Sequence, residues 1–468
     1  MMTRFKQASL VLVGVLAGIL LSLNFSAVAE REAARFPLPV DELRSFAEVF
    51  GQIKSNYVDP VEDKKLITDA VSGMVTGLDP HSAYLDQDAY RELRISTKGE
   101  FGGLGIEVGM EEGLVKVVSP IEDTPAFRAG LKPGDFIIKI DDTSVKGMSL
   151  NDAVKRMRGK PKTTIRLTIV RKGDPKPFEV TLMRDVIRVQ SVKSKLIEPG
   201  YGWIRVAQFQ EHTGEDLVKH LKALYKQDQL KGLILDLRND PGGILDGAVG
   251  ISSAFLPPDS LVVYTDGRLE DAKRKFFAVP ENYLRGVPND YLKGLPQGVK
   301  TVPMVVLVNG GSASASEIVA GALQDHKRAK VLGTQTFGKG SVQTILPLGN
   351  DTALKLTTAR YYTPNGRSIQ ALGITPDFVI EEPTSPTARL READLEKHLL
   401  NEQELAAQSK KEKEQKASVK PATDSEDKPL APLEFASDKD FQFQQALKLL
   451  KGMPIATAQS APPAGNKN

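Results

Sequence analysis

The stretch from Asn309 to Gln343 constrains the fold more tightly than any other part of the chain. A valine-rich apolar run, Val305 to Val308, ends in Gly310-Gly311, and Ser312-Ala-Ser-Ala-Ser316 then opens a stretch, Ile318 to Leu323, with helical spacing. The pattern predicts strand, tight turn, helix. Small residues permit a sharp turn that leaves a hydroxyl at the first helical turn, with backbone N–H groups pointing the same way. Lys330 to Gly333 predicts a second, parallel strand, ending in the Gly-bounded loop Thr334 to Gly340 with Lys339 near its tip. In a right-handed strand–helix–strand unit both loops leave the carboxyl edge of the sheet, so Ser314 and Lys339 can meet there. A third run, Gly232 to Leu237, ends in Arg238-Asn-Asp-Pro-Gly-Gly243, and its glycines reach the same edge if that strand joins the sheet.

These residues resemble the carboxyl-terminal processing (tail-specific) serine peptidases of bacteria. The resemblance rests on Ser312-Ala-Ser-Ala-Ser-Glu317, Phe337-Gly-Lys-Gly-Ser-Val-Gln343, Leu235-Asp-Leu-Arg-Asn-Asp-Pro-Gly-Gly243 and Leu78-Asp-Pro-His-Ser82, and covers roughly Val40 to Glu382. Position by position it implies Ser314 as nucleophile, Lys339 as general base and Gln343 as the residue that orients the lysine. The N–H groups of Gly243 and Ala315 would form the oxyanion hole.

The chemistry makes its own demands. A lysine is a base only when neutral, so its pKa must fall from about 10.4 to about 7–8, at a cost of about 4 kcal/mol. Thr334 to Thr344 contains no Asp or Glu, and Gln343 can accept from the amine through its amide oxygen without re-protonating it. Ser312 and Ser316 compete as nucleophiles, Ser312 as a helix cap and Ser316 within the helix. A Ser–His arrangement fails on distance: at about 1.5 Å per helical residue, His326 lies roughly 18 Å from Ser314. His326 reads as a helix-end residue, and His81, His212, His220 and His398 as surface or packing residues. Gly333 to Gly340 nearly spells a P-loop, but Gly340 stands where the Mg²⁺-binding hydroxyl belongs, and a strand pattern follows in place of a helix.

With 41% hydrophobic residues over 468 positions the chain can bury the cores of several domains. A net charge of +3 gives no reason to expect a nucleic-acid partner. Without cysteine there is no disulfide or thiol catalysis, and five scattered histidines without HExxH argue against a metal site. No cofactor is expected.

Arg4 and Lys6 precede an uncharged stretch, Gln7 to Ala29, closing on Ala27-Val-Ala29. Residues 1–29 read as a secretory signal, with an uncleaved inner-membrane anchor as the open alternative. Either implies export to a periplasm. Residues 30–95 are expected to hold two amphipathic helices, with Leu43, Phe46, Phe50, Ile53 and Tyr57 on one and Leu66, Ile67, Ala70, Val71 and Met74 on the other. Leu78 to Ser82 reads as a turn that caps the next element.

Residues 96–186 carry short alternating strands and a helix capped by Ser149, and resemble a PDZ domain. Such domains add a partner's C-terminus as an edge strand and hold its carboxylate on backbone N–H groups. Gly103, Leu104, Gly105 and Ile106 would form the carboxylate loop, and Leu104, Ile106, Val154 and Met157 the groove. Residues 187–384 are expected to form the peptidase core, with Trp203 as a core residue and Asp266 to Lys300 as a solvated insertion, a lid or an oligomer contact being the alternatives. In the tail, 385–468, Ala388 to Ala407 reads as a charged helix, Ser409 to Ala431 as disordered and Phe441 to Leu450 as a last amphipathic helix, which docks on the core or on a partner.

The expected fold is α/β and multidomain: N-terminal helices, a β-rich PDZ domain, a core on a mixed sheet and a helical, partly disordered tail. The expected activity is that of an exported serine endopeptidase that engages proteins by their C-termini. The alternative is a PDZ scaffold whose latent peptidase core needs a partner. A homo-oligomer and an adaptor or activator protein are the further partners the resemblance suggests.

Overall fold

The computed structural model describes residues 38–121, 123–284, 289–382, 390–401, 404 and 434–456. The candidate signal segment and the stretch expected to be disordered lie outside them. The chain divides into two compact units, residues 1–73 and 74–468. The first contains the helix Val40–Asn56, which buries none of its residues, and most of the helix Asp63–Thr76.

In the second unit the core is built on a six-stranded sheet in the order Val192–Glu198, Tyr201–Val206, Gly232–Asp236, Met304–Val308, Lys330–Gly333, Phe378–Val379. The first pair is antiparallel and every later pair parallel. The central strands are buried on both faces, which is why Val305 to Val308 reads as a continuous apolar run. Leu233, Leu235, Val306 and Val308 pack into one apolar cluster with the helices Thr213–Gln227, Leu245–Phe255 and Ala315–Asp325. Trp203, Ile234, Val305 and Leu307 pack into another with Phe443, Ala446 and Leu447 of the helix Phe441–Leu450. That last helix therefore docks on its own core.

A five-stranded antiparallel sheet stands beside it. Ala353–Tyr362 is its centre, paired with Ser341–Pro347, Leu261–Gly267 and the short strand Ala83–Leu85. The core thus recruits chain from before the PDZ-like region.

The PDZ-like region folds around Val115, Val117, Ile137, Leu167 and Ile169, all buried. Its five main strands run in the order Ile106–Glu111, Leu114–Pro120, Phe136–Ile140, Thr164–Val170, Phe178–Met183. Ile106–Glu111 is an edge strand, unpaired on one side among the described residues. Ser149 caps the helix Leu150–Met157, its hydroxyl accepting the Asp152 N–H at 3.1 Å.

Two expectations fail. Between 266 and 300, of which 285–288 lie outside the described residues, Val299 is fully buried, Tyr283 nearly so, and Tyr291 lies against the core cluster. Of the helix expected over Ala388 to Ala407, residues 390–401 contain no α-helix, Glu392–Asp394 being a single 3₁₀ turn, whereas Glu404 is helical and 388–389, 402–403 and 405–407 lie outside the described residues. The backbone of 390–401 satisfies tertiary partners instead. Glu392 N–H donates to Phe337 O at 3.1 Å, Leu399 O accepts from Gln370 Nε2 at 3.0 Å, and Leu400 O accepts from Arg360 at 3.2 Å. Thin helical periodicity in a charged stretch loses to such bonds when the apolar residues can pack without a helix.

Candidate active site

The turn after Met304–Val308 is stitched to the end of its neighbour strand. Asn309 Nδ2 donates to Asn239 Oδ1, and Asn309 Oδ1 accepts the N–H groups of Asn239 and Gly311, each at 2.9 Å. The Ser312 hydroxyl donates to Leu237 O at 2.8 Å and accepts Asn309 N–H at 2.9 Å. Ser312 therefore ties the turn and does not cap the helix. The Ser316 hydroxyl donates to Asp240 O at 3.0 Å. Both competing serines are fully buried and engaged. Ser314, partly exposed, sits just before the helix with φ 57° and ψ −115°, a sparsely populated conformation for a residue with a side chain.

Gly242 and Gly243 press against this turn. A Cβ on Gly242 would lie 2.7 Å from Ala313 O and 2.8 Å from both Ala315 N and Ser314 Cβ. A Cβ on Gly243 would meet Phe209 O at 1.9 Å. Gly242 N–H donates to Asp240 Oδ1 at 2.8 Å, whereas among the described residues the N–H groups of Gly243 and Ala315 donate to nothing. Two unpaired donors thus flank Ser314, as an anion site requires.

Glu317 joins the serine turn to the lysine loop. One carboxylate oxygen, Oε2, accepts Ser314 N–H at 2.8 Å and Lys339 N–H at 2.9 Å. The two backbone nitrogens are therefore no further apart than the sum of those distances. Oε1 accepts Gly338 N–H at 2.7 Å and the Thr336 hydroxyl at 2.5 Å. Glu317 is fully buried, and burial pushes its pKa up to about 7 although four donors favour the charge.

Lys339 is partly buried, and among the described residues its Nζ makes no hydrogen bond or ion pair. Burial holds its pKa below the usual lysine range, and the nearby Lys355 cation adds to this. Glu392, Glu317 and Asp79 act the other way. The expectation of a site without nearby carboxylates holds for the loop's sequence but not in space, and desolvation outweighs them.

Gln343 lies at a bulge in Ser341–Pro347 and donates through Nε2 to Ser341 Oγ at 3.0 Å and Thr357 Oγ1 at 3.3 Å. No hydrogen bond joins it to Lys339. Behind it, Thr357 Oγ1 donates to Asp79 Oδ1 at 3.1 Å, and Asp79 also accepts the N–H groups of His81 and Ser82 and the Ser82 hydroxyl. The Leu78 to Ser82 turn therefore buttresses the strand beneath the lysine. His81 Nε2 pairs with buried Glu392 at 2.8 Å, and Gln370 Nε2 donates to Glu392 at 2.9 Å while its Oε1 accepts Gly340 N–H at 3.0 Å. Tyr361, nearly fully buried, donates to Lys339 O, and its hydroxyl stands beside that of Ser314. His326 is at the C-terminus of the Ala315–Asp325 helix, bonded to Leu261 O at 2.7 Å.

In the PDZ-like region, Leu104 O accepts Ala126 N–H and Gly105 O accepts Ile121 N–H, each at 2.9 Å. The Leu104 and Gly105 N–H groups have no acceptor among the described residues. Gly103 pairs in register with Asp185. The Leu104 and Met157 side chains are buried in the domain core, while Ile106 and Val154 remain partly exposed at its margin.

Of the residues not foreseen, Glu317 had a sequence signal: Ser314-x-x-Glu317 has the spacing of a capping box. Tyr361 and Glu392 had none, because their partners lie far away in sequence.

Residues 200–380 match the family model "Peptidase family S41", 102–182 match "PDZ domain" and 22–89 match "Activating protease CtpB N-terminal domain". The chain is 44% identical over 434 residues to the carboxy-terminal-processing protease of Bartonella bacilliformis, covering 91% of this chain and 92% of that one. It is 36% identical over 335 residues to the carboxy-terminal processing protease CtpB of Bacillus subtilis, covering 71% and 66%. Among solved structures it is similar to a photosystem II D1 C-terminal processing protease, at 29% identity, 73% and 94% coverage and a TM-score of 0.41. On the full-length similarity to the Bartonella enzyme and the matched peptidase and PDZ regions, this chain belongs to peptidase family S41 and is a serine-type carboxy-terminal processing peptidase.

Proposed function

We propose that the chain is an exported endopeptidase that hydrolyses peptide bonds in proteins through an acyl-enzyme on Ser314, with Lys339 as general base. The observation that carries this reading is the shared Glu317 oxygen, which fixes the Ser314 and Lys339 backbones to one point. Lys339, desolvated and without a partner, takes the Ser314 proton as Oγ attacks the substrate carbonyl, and returns it to the leaving amine. The N–H groups of Gly243 and Ala315 stabilise the tetrahedral oxyanion. Water then releases the acyl group. Once the dyad closes, Gln343 orients the lysine amine through its amide oxygen, which accepts no hydrogen bond among the described residues.

Substrates are held by their C-termini. The free edge of Ile106–Glu111 supports strand addition, and the unpaired N–H groups of Leu104 and Gly105 support carboxylate capture. The N-terminal signal supports a periplasmic location. Fractionation of cells producing the chain tests it, and recovery in the cytoplasmic fraction rules export out.

The lack of a bond from Lys339 Nζ to Ser314 or Gln343 favours a second reading, a core latent until substrate or a partner closes the dyad. One experiment separates the two. Full chain, Ser314→Ala and Lys339→Ala are incubated with an unfolded protein bearing an apolar C-terminus, and cleavage is followed by mass spectrometry. Cleavage by wild type alone supports the dyad. Three inert proteins that still bind the C-terminal peptide support latency. Cleavage by Ser314→Ala at the wild-type rate removes the mechanism.

A further inference from the structure

Asp240 lies three residues before Gly243 and is fully buried. Its backbone oxygen accepts Ala313 N–H at 2.9 Å and the Ser316 hydroxyl at 3.0 Å, so it grips the serine turn on both sides of Ser314. Its Oδ1 accepts Gly242 N–H at 2.8 Å. Its Oδ2 is sealed from solvent and has no hydrogen-bond partner among the described residues.

We infer that Asp240 works as the neutral acid, a positioning residue of the oxyanion loop, and that its ionisation disables anion binding at alkaline pH. This rests on the reading of Ser314, Gly243 and Ala315 given above.

A carboxylate here would have one backbone N–H and the neighbouring Ser316 hydroxyl to stabilise it, and no ion pair among the described residues. Asp236, four residues earlier and equally buried, shows the contrast. Arg238 binds it through Nε at 3.0 Å and Nη2 at 2.7 Å, and it stays below the usual carboxylate range. Among the described residues the groups facing Asp240 are the Gly242 N–H from its own loop, the Ser316 hydroxyl from the Ala315–Asp325 helix and one charge, Arg205 from Tyr201–Val206. Arg205 is committed elsewhere. It donates to Arg238 O at 2.7 Å, pairs with Asp236 at 3.7 Å and stacks 3.6 Å over the Phe435 ring. Burial accordingly pushes the Asp240 carboxyl up to about 8. An O–H without an acceptor is far cheaper to bury than an unpaired charge. Once ionised, Asp240 sets a negative charge beside the loop that must receive another in the transition state.

Two measurements decide the matter. The first is the carboxyl ¹³C titration of aspartate-labelled, full-length Ser314→Ala protein, with Asp240 assigned through its own amide. A neutral signal at about pH 6 that titrates near 8 is expected; an ionised signal at about pH 6 overturns the inference. No Asp240 variant and no turnover are needed, so this arm stands apart from the mechanism. The second is the pH profile of kcat/KM. Wild type should lose about tenfold per unit above the Asp240 midpoint, while Asp240→Asn, scaled to its own plateau, should show no such fall. An unchanged alkaline limb in Asp240→Asn overturns the inference. If Ser314→Ala cleaves like wild type, the site reading fails, while the ¹³C titration still decides whether Asp240 is neutral.

Discussion

Arg238 and Asp440, 202 residues apart in sequence, meet through paired hydrogen bonds of 2.7 and 2.6 Å with neither side chain exposed. Asp236 takes the other side of the same guanidinium. The C-terminal helix is thereby locked to the strand that leads into the Gly242-Gly243 loop. Breaking a buried pair leaves an uncompensated charge, at about 3–5 kcal/mol. Asp440→Asn should lower the unfolding free energy by that amount in urea titrations and reduce kcat/KM as well. A loss near zero would mean that the desolvation of three buried charges cancels their attraction.

Glu317 is the next point of failure. Glu317→Gln keeps one acceptor but turns an amide N–H₂ toward donors, so the serine turn and lysine loop lose their shared anchor. The expected result is a folded protein with kcat/KM down by about one to two orders of magnitude and stability down by about 1–3 kcal/mol near neutral pH. The pH dependence has a definite sign. Burial holds the folded carboxyl at about 7 against an ordinary value of 4.5. Between these values the unfolded chain gives up its proton first, so rising pH subtracts stability. The stability of wild type relative to Glu317→Gln should therefore decline from about pH 4.5 to about 7 and level off above.

Lys355 acts on Lys339 through space. Removing its charge in Lys355→Met takes away a cation that disfavours protonation of Lys339, so the Lys339 pKa rises. The acid limb of kcat/KM should move to higher pH, with a several-fold loss at neutral pH and recovery when the pH is raised. A limb that moves the other way, or not at all, assigns that limb to another group.

The strand–turn–helix of Ser314 was legible because its signals are local: a valine run, two glycines, small residues and a 3.6-residue period. The parallel placement of Lys330–Gly333 followed from connection rules, and Phe441–Leu450 from its periodicity, though not its docking surface; that Gly232–Asp236 joins the same sheet was left open by the sequence. What escaped were groups whose meaning depends on distant partners. Glu392 reads as one charge in a charged tail, yet it is fully buried against His81, 311 residues away. The same tertiary bonds pull residues 390–401 out of the helix their leucines suggested. Tyr283 and Tyr291 read as part of a solvated insertion, yet both pack against Gly250, which buries Tyr283 and partly buries Tyr291. Asp240 sits in a quoted motif, but only the orphaned Oδ2 separates it from Asp236.

Gly242 tests the anion site with the least chemical change. Its φ of 94° already disfavours a side chain, and an added methyl falls 2.8 Å from Ser314 Cβ and Ala315 N, closer than such contacts allow. The serine turn is bonded to Leu237, Asp240 and Glu317 and has little freedom to retreat. Gly242→Ala should therefore move the loop, separating the Gly243 and Ala315 N–H groups. Loss of one such donor costs about 10²–10³ in kcat, so kcat should fall on that scale while KM for a C-terminal peptide substrate changes little. Binding of the same peptide to the PDZ region, measured by calorimetry, should be unaffected. A Gly242→Ala enzyme with wild-type kcat would place the oxyanion elsewhere.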